Sequence, residues 1–191
     1  MTVSVEAKGM RTGAFWAFSL RLYARPGVQQ VLLRLQDQEG ADVTMVLYIL
    51  WCASCGHRLD APALTLVAQR TRSWREGVIG PLRTARRAMK GLVDGSPAAE
   101  ALRERVKEAE LEAERLLHCA LEARRAAVPA VCEDSAVAAA RAGLAAYAAM
   151  VGFMLPASAS DLLIAALPTS PDQPSDAAVA EPAMAPPGSS A

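Results

Sequence analysis

The stretch from Asp42 to Cys55, Asp-Val-Thr-Met-Val-Leu-Tyr-Ile-Leu-Trp-Cys-Ala-Ser-Cys, limits what this chain can fold into more than any other. From Val43 to Ala53 it carries no charge, and its polar groups are those of Thr44 and the Tyr48 hydroxyl. A helix that is apolar on every side has to be surrounded, either by lipid or by other helices. At 1.5 Å per residue this one is about 20 Å long, short of the ~30 Å hydrocarbon core of a bilayer. It therefore reads as the central helix of a soluble helical domain, which the rest of the chain must cover. No membrane span is expected, because the other apolar run, Ala142 to Leu155, is also short and Ala-rich.

The composition supports helices. About half of the 191 residues are hydrophobic, few are aromatic, and alanine, the best helix former, supplies much of the apolar content. Twenty acidic and twenty basic residues cancel, so no overall field selects nucleic acid or an anionic membrane as partner. Residues 1 to 13 are polar and lack the apolar core of a signal peptide, so the cytoplasm is the expected address. The four cysteines, Cys52, Cys55, Cys119 and Cys132, are then expected to stay reduced.

Residues 1–13 read as a flexible leader, residues 14–155 as one helical domain, and residues 156–191 as a largely disordered tail rich in Pro, Ala and Ser. The fold class is all-α, a compact bundle of about five to seven helices. Phe15, Trp16, Phe18, Leu20, Leu22 and Tyr23 form an aromatic first helix that suits docking onto the central one. Pro26 is placed at the first position of a second helix, whose Val28, Val31, Leu32 and Leu35 follow the i, i+3, i+4, i+7 rule. Gly40 suits the left-handed position after its end, and Asp42 the cap of the next helix. Asp60 is a plausible cap for a helix over about 62–76, which Gly77, Gly80 and Pro81 kink or restart. From there to Val93, Leu82, Ala85, Met89 and Leu92 form one stripe and Arg83, Arg86, Arg87 and Lys90 another. Ser96 and Pro97 open a long helix to about 127, with a heptad seam of Leu102, Val106, Ala109, Ala113, Leu116 and Ala120. That seam could pack on a neighbouring helix or pair two copies of the chain as a homo-oligomer. Asp134 or Ser135 caps an Ala-rich helix to about Phe153, and Asp161 to Leu167 suit one more short helical turn.

Three polar groupings are candidates for function. Cys52-Ala-Ser-Cys55-Gly-His57 with His118-Cys119 supplies zinc ligand types, but small buried cysteines near a helix end explain the same residues and are the favoured reading. No metal or other cofactor is expected. The second grouping is the acidic loop Gln36-Asp37-Gln38-Glu39-Gly40-Ala41-Asp42. Asp42 is accounted for as a cap, whereas acids in the last turn of a helix oppose its dipole by ~0.3–1 kcal/mol each and call for compensation. A prenyl-diphosphate type of metal site would need a second Asp-rich motif, and a di-iron bundle needs Glu-x-x-His where Glu114 and His118 are four apart. The third is the run from Arg70 to Lys90, with seven bases, one acid (Glu76) and Trp74 among them. It could grip phosphate or nucleic acid backbone. An internal match is favoured, with Glu100, Glu104, Glu108 and Glu112 on the antiparallel neighbour and with Asp37 and Asp42 from the other side.

The residues Phe15-Trp16-Ala17-Phe18-Ser19-Leu20, Tyr23, Pro26-Gly27-Val28, Leu35-Gln36-Asp37, Gly40, Asp42-Val43 and Leu50-Trp51 make a pattern with Trp74 and Pro81-Leu82-Arg83-Thr84-Ala85-Arg86-Arg87-Ala88-Met89-Lys90. Together with Glu110-Leu111-Glu112-Ala113-Glu114-Arg115 they resemble an uncharacterised family of small bacterial proteins, over about residues 15 to 121. The resemblance implies a helical fold and no particular mechanism. The expected function is that of a non-catalytic interaction or accessory protein with a protein partner, working through Gln36, Asp37, Asp42, Trp74, Arg83, Arg86, Arg87 and Lys90. The alternatives are a small-molecule- or metal-dependent helical enzyme built on the same acids and arginines, and nucleic-acid binding through the basic run.

Overall fold

The structure, a computed structural model, describes residues 13–92, 96–132 and 135–168. The expected leader, apart from Gly13, and the part of the expected tail beyond residue 168 lie outside the described residues, as does Asp134. Among the described residues there are eight α-helices: α1 (Ala14–Tyr23), α2 (Val28–Glu39), α3 (Val43–Ser54), α4 (Ala61–Trp74), α5 (Gly80–Met89), α6 (Pro97–Ala123), α7 (Ala136–Val151) and α8 (Ala157–Ala165). A π-helical turn, Arg75–Ile79, joins α4 to α5 without a break, so the eight make seven helical bodies. The described residues are all-α apart from β1 (His57–Arg58) and β2 (Val131–Cys132), a two-residue antiparallel pair that sets His57 opposite Cys132. No helix among the described residues is long and apolar enough to cross a membrane.

The apolar run forms α3 and lies at the centre, with every residue from Met45 to Ala53 buried. Helices α1, α2 and α7 pack on it. From α1, Phe15 sits edge-on to Tyr48, with ring centres 5.4 Å apart, and stacks on Trp51 at 5.0 Å. From α2, Val28, Leu32 and Leu35 are buried at the positions that the helical spacing implies. On the side of α7 the approach is close at Gly143, where a Cβ would lie 2.8 Å from Cγ2 of Ile49. Since Cγ2 is fixed to a β-branched carbon, Ile49 cannot swing aside. Gly143→Ala is expected to lower stability by about 1–3 kcal/mol in chemical denaturation, despite the ~1 kcal/mol gained in helix propensity. An unchanged or raised midpoint would show that the two helices can part at little cost.

Local signals place most helix starts. Oδ1 of Asp42 accepts the Thr44 and Met45 N–H groups at 2.8 and 3.3 Å, Asp60 accepts Ala63 N–H at 3.0 Å, and Ser96 and Ser135 cap α6 and α7. Gly40 takes the left-handed conformation (φ 67°) that ends α2. Pro26 is a correction. It lies in the turn before α2 rather than at its first position, because Gly27 has φ 78° and the helix starts only after it.

Helices α5 and α6 form an antiparallel hairpin whose expected faces hold only in part: Leu82 packs against the core and Ala113 is buried. The buried residue of α5 is Arg86, while Ala85 and Leu92 of the expected apolar stripe are exposed. On α6 the inward face is Glu110, Ala113, Glu114, Leu117, His118 and Leu121, leaving Leu102 and Leu116 of the expected seam exposed. Helix α8, which lies within the stretch read as tail, buries Leu163 and Ile164 against the rest.

Candidate functional site

Asp42 stands where four elements meet. Its carboxylate caps α3, its N–H donates to the Tyr147 hydroxyl of α7 at 2.8 Å, and its Oδ2 receives Arg75 Nη1 at 2.6 Å. Arg75 is the first residue of the π-helical turn. Gly80 closes that turn by donating its N–H to the Arg75 carbonyl five residues back, and a Cβ at Gly80 would come within 3.2 Å of the same oxygen. Pro81, which has no N–H to give, follows directly. Short π segments of this kind recur at functional sites.

One turn further along, α5 delivers two arginines to α6. Arg83 Nε and Arg86 Nε each reach Glu110, at 3.0 and 2.6 Å, and Arg83 Nη2 reaches Glu114 at 2.6 Å. Glu110 and the Arg86 side chain are almost wholly buried. Burial works against the Arg83 charge, but Glu114 and Glu110 outweigh it and hold its pKa above the ordinary value. Glu114, with a single guanidinium contact, fares differently: burial, helped by the Glu110 carboxylate, overcomes Arg83 and pushes its carboxyl up to about 7. Burial, with Glu114 beside it, also raises the Tyr23 hydroxyl.

Above this network lies a cleft of about 340 Å³ between α2, α3, α5 and α6. Its polar walls come from Tyr23, Gln36, Asp42, Arg75, Arg83, Glu114 and His118. Three of these residues carry buried polar atoms with no hydrogen-bond partner: Oε1 of Gln36, Nε of Arg75, and both ring nitrogens of His118. His118 is 2 % exposed and packs its ring on Phe15 at 4.2 Å and Trp16 at 5.1 Å. Burial pulls its pKa down to about 3, so it is neutral across the physiological range, with one ring N–H to donate and one nitrogen to accept.

Of the residues singled out in the sequence, Gln36, Asp42 and Arg83 meet in this cleft. Arg86 lies beneath it, spent on Glu110. Asp37 faces Arg87 across 3.7 Å, both about half exposed, and Lys90 is exposed near the end of α5. Trp74 turns to the other side of the molecule, where its Nε1 donates to the Ala113 carbonyl at 3.0 Å. Among the described residues the internal match between α5 and α6 runs through Glu110 and Glu114, while Glu100, Glu104 and Glu112 pair with bases of α6 itself. Sequence reasoning overlooked Tyr23, Arg75, Glu114 and His118 as cleft residues. The available signal was Glu110, Glu114 and His118 at steps of four, which put three polar side chains on one face of α6.

The cysteine grouping is split, with Cys52 and His57 lining one cavity beside Cys132, and His118 lying elsewhere. Cys52 is buried in the core with its thiol pushed up to about 12, chiefly by burial, His57 sits in β1, and His118 lies by Phe15. All four cysteines are free thiols, and no three His, Cys, Asp or Glu residues among those described are grouped to hold a metal ion.

A family model described as a protein of unknown function (DUF2390) matches residues 14–121, which run from the start of α1 to the last turns of α6. No curated protein and no solved structure matches the chain.

Proposed function

The chain belongs to this family, whose description assigns no activity, and from that premise we propose that it is a non-catalytic binding protein whose polar cleft receives a small molecule carrying both a positive and a negative group. The observation that carries the reading is the gathering of unpartnered buried atoms on Gln36, Arg75 and His118 around one cleft. A buried polar group without a partner costs about 1–3 kcal/mol, so a fold that keeps several together sacrifices stability at that place. Binding sites are where such sacrifices are retained. The charges around the cleft, Arg75 and Arg83 against Asp42, Glu76 and Glu114, are mixed, which suits a zwitterion better than a phosphate or a nucleic acid backbone. The whole cleft, from Tyr23 to His118, lies inside the span that the family model matches.

His118→Phe separates binding from folding. Phenylalanine keeps a ring against Phe15 and Trp16 while removing two unpartnered nitrogens, so stability is expected to hold or rise by up to about 1 kcal/mol. With the common amino acids as probes, the wild-type chain is expected to gain about 4 °C or more in melting temperature with at least one of them, and the variant to lose that gain. Inorganic phosphate is expected to give no such rise. A His118→Phe variant that is clearly destabilised, or that keeps the whole ligand response, would sink the reading.

A further inference from the structure

On the opposite flank of α6, a second cavity of about 340 Å³ runs between α4 and α6, and its chemistry is different. Val67, Leu117 and Leu121 form its buried wall, and Trp74 and Leu116 stand partly exposed beside them. The Trp74 indole N–H is spent on the Ala113 carbonyl, so the ring contributes only its apolar surface. Two arginines, Arg70 from α4 and Arg124 from the end of α6, line the same groove. Both are exposed, and neither makes an ion pair among the described residues. The contact of Arg70 is a 3.5 Å approach of Nη1 to the Ala127 carbonyl, at the limit of a hydrogen bond. Among the described residues no carboxylate lines the groove.

We infer that this groove binds a small apolar carboxylic acid, its hydrocarbon or aromatic body laid against Val67, Trp74, Leu117 and Leu121 and its carboxylate taken by Arg70 and Arg124. Apolar walls favour any hydrocarbon, but a rim with cations alone favours one that ends in an anion. Arginine suits a carboxylate through paired N–H donors. The volume lies at the lower end of the ~300–1,000 Å³ typical of small-molecule sites. A docked protein would need about 800 Å² of surface on each side, far more than this groove offers. The described residues that line it include no Asp, Glu or His, so affinity should not change with pH above the range in which the acid itself ionises.

The test is calorimetric titration of the full chain with octanoate, octanol and octylammonium, followed by Trp fluorescence. Octanoate is expected to bind about 10-fold tighter than octanol, and octylammonium more weakly than either. Arg70→Gln/Arg124→Gln, both surface changes, should leave folding and octanol binding intact and erase the octanoate preference. Ala120→Trp, which fills the groove from α6, should abolish binding of all three, whereas His118→Phe on the other side of the helix should leave octanoate binding unchanged. Equal affinity for octanol, a preference that survives the double arginine change, binding that survives Ala120→Trp, or no octanoate binding would each overturn the assignment. So would displacement of octanoate by a leucine-rich helical peptide of higher affinity, which would reassign the groove to a protein partner.

Discussion

An Arg86→Ala variant will be less stable than the wild-type chain by about 3 kcal/mol or more, read as a lowered urea midpoint at unchanged slope. Glu110 is 1 % exposed, and Arg86 is its shortest partner at 2.6 Å. Removing one member of a buried pair leaves a charge with neither water nor counter-ion, a loss of typically 3–5 kcal/mol. The lower end applies here for two reasons. Arg83 still reaches Glu110 from the side, and Nη2 of Arg86 has no partner, so its own burial cost disappears with it. Arg86→Met/Glu110→Leu should recover most of the loss, since the two charges go together. The exposed pair Arg72–Glu76 provides the contrast: Arg72→Ala should change stability by about 0.5 kcal/mol or less. If Arg86→Ala costs no more than Arg72→Ala, the network is hydrated and the proposed cleft has lost its floor.

The second large effect depends on pH. Glu114→Gln should stabilise the protein relative to wild type by about 2–3 kcal/mol more at pH 8 than at pH 4.5. The native carboxyl titrates at about 7, against an ordinary value of 4.5, because burial disfavours its charge. Between those two values the native state holds a proton that the unfolded chain has released. Stability of the wild type therefore falls as pH rises through this window, and it is flat in this respect below 4.5 and above 7. Glutamine keeps an oxygen for Arg83 and never ionises, so the variant lacks that decline. Subtracting the two sets of urea melts, taken from pH 4.5 to 8, cancels every other titrating group. Parallel curves would mean that Arg83 keeps Glu114 ionised throughout.

Legibility from sequence follows how far a signal reaches along the chain. The central position of α3 needed no phase argument, since a run without charge from Val43 to Ala53 is buried whichever way it turns. Caps at Asp42, Asp60, Ser96 and Ser135 were readable because acceptor and N–H lie two or three residues apart. The facing sides of α5 and α6 were not. Periodicity within one helix sends Leu82, Ala85, Met89 and Leu92 inward; Leu82 does pack against the core, but the fully buried residue of this face is Arg86, because Glu110, on a different helix, satisfies it. A polar residue whose partner is 24 positions away looks like surface when its own helix is read alone. The same blindness hid Glu114 and His118, and with them most of the cleft. The β1–β2 pair is two residues long and too short for any alternation to register.

The π-helical turn fixes more than the position of Arg75. Such a turn holds one residue more than regular helix would use, and each residue advances a helix by about 100°. Everything from Gly80 onward is therefore rotated by that angle against α4. In this phase Arg83 and Arg86 point at Glu110 and Glu114; with one residue fewer they would point more than a quarter turn away. The wheel of α5 is thus set by a length difference of a single residue, and its composition does not reveal it. Two chains with the same arginines but unequal spacing between Trp74 and Pro81 would present them to different neighbours.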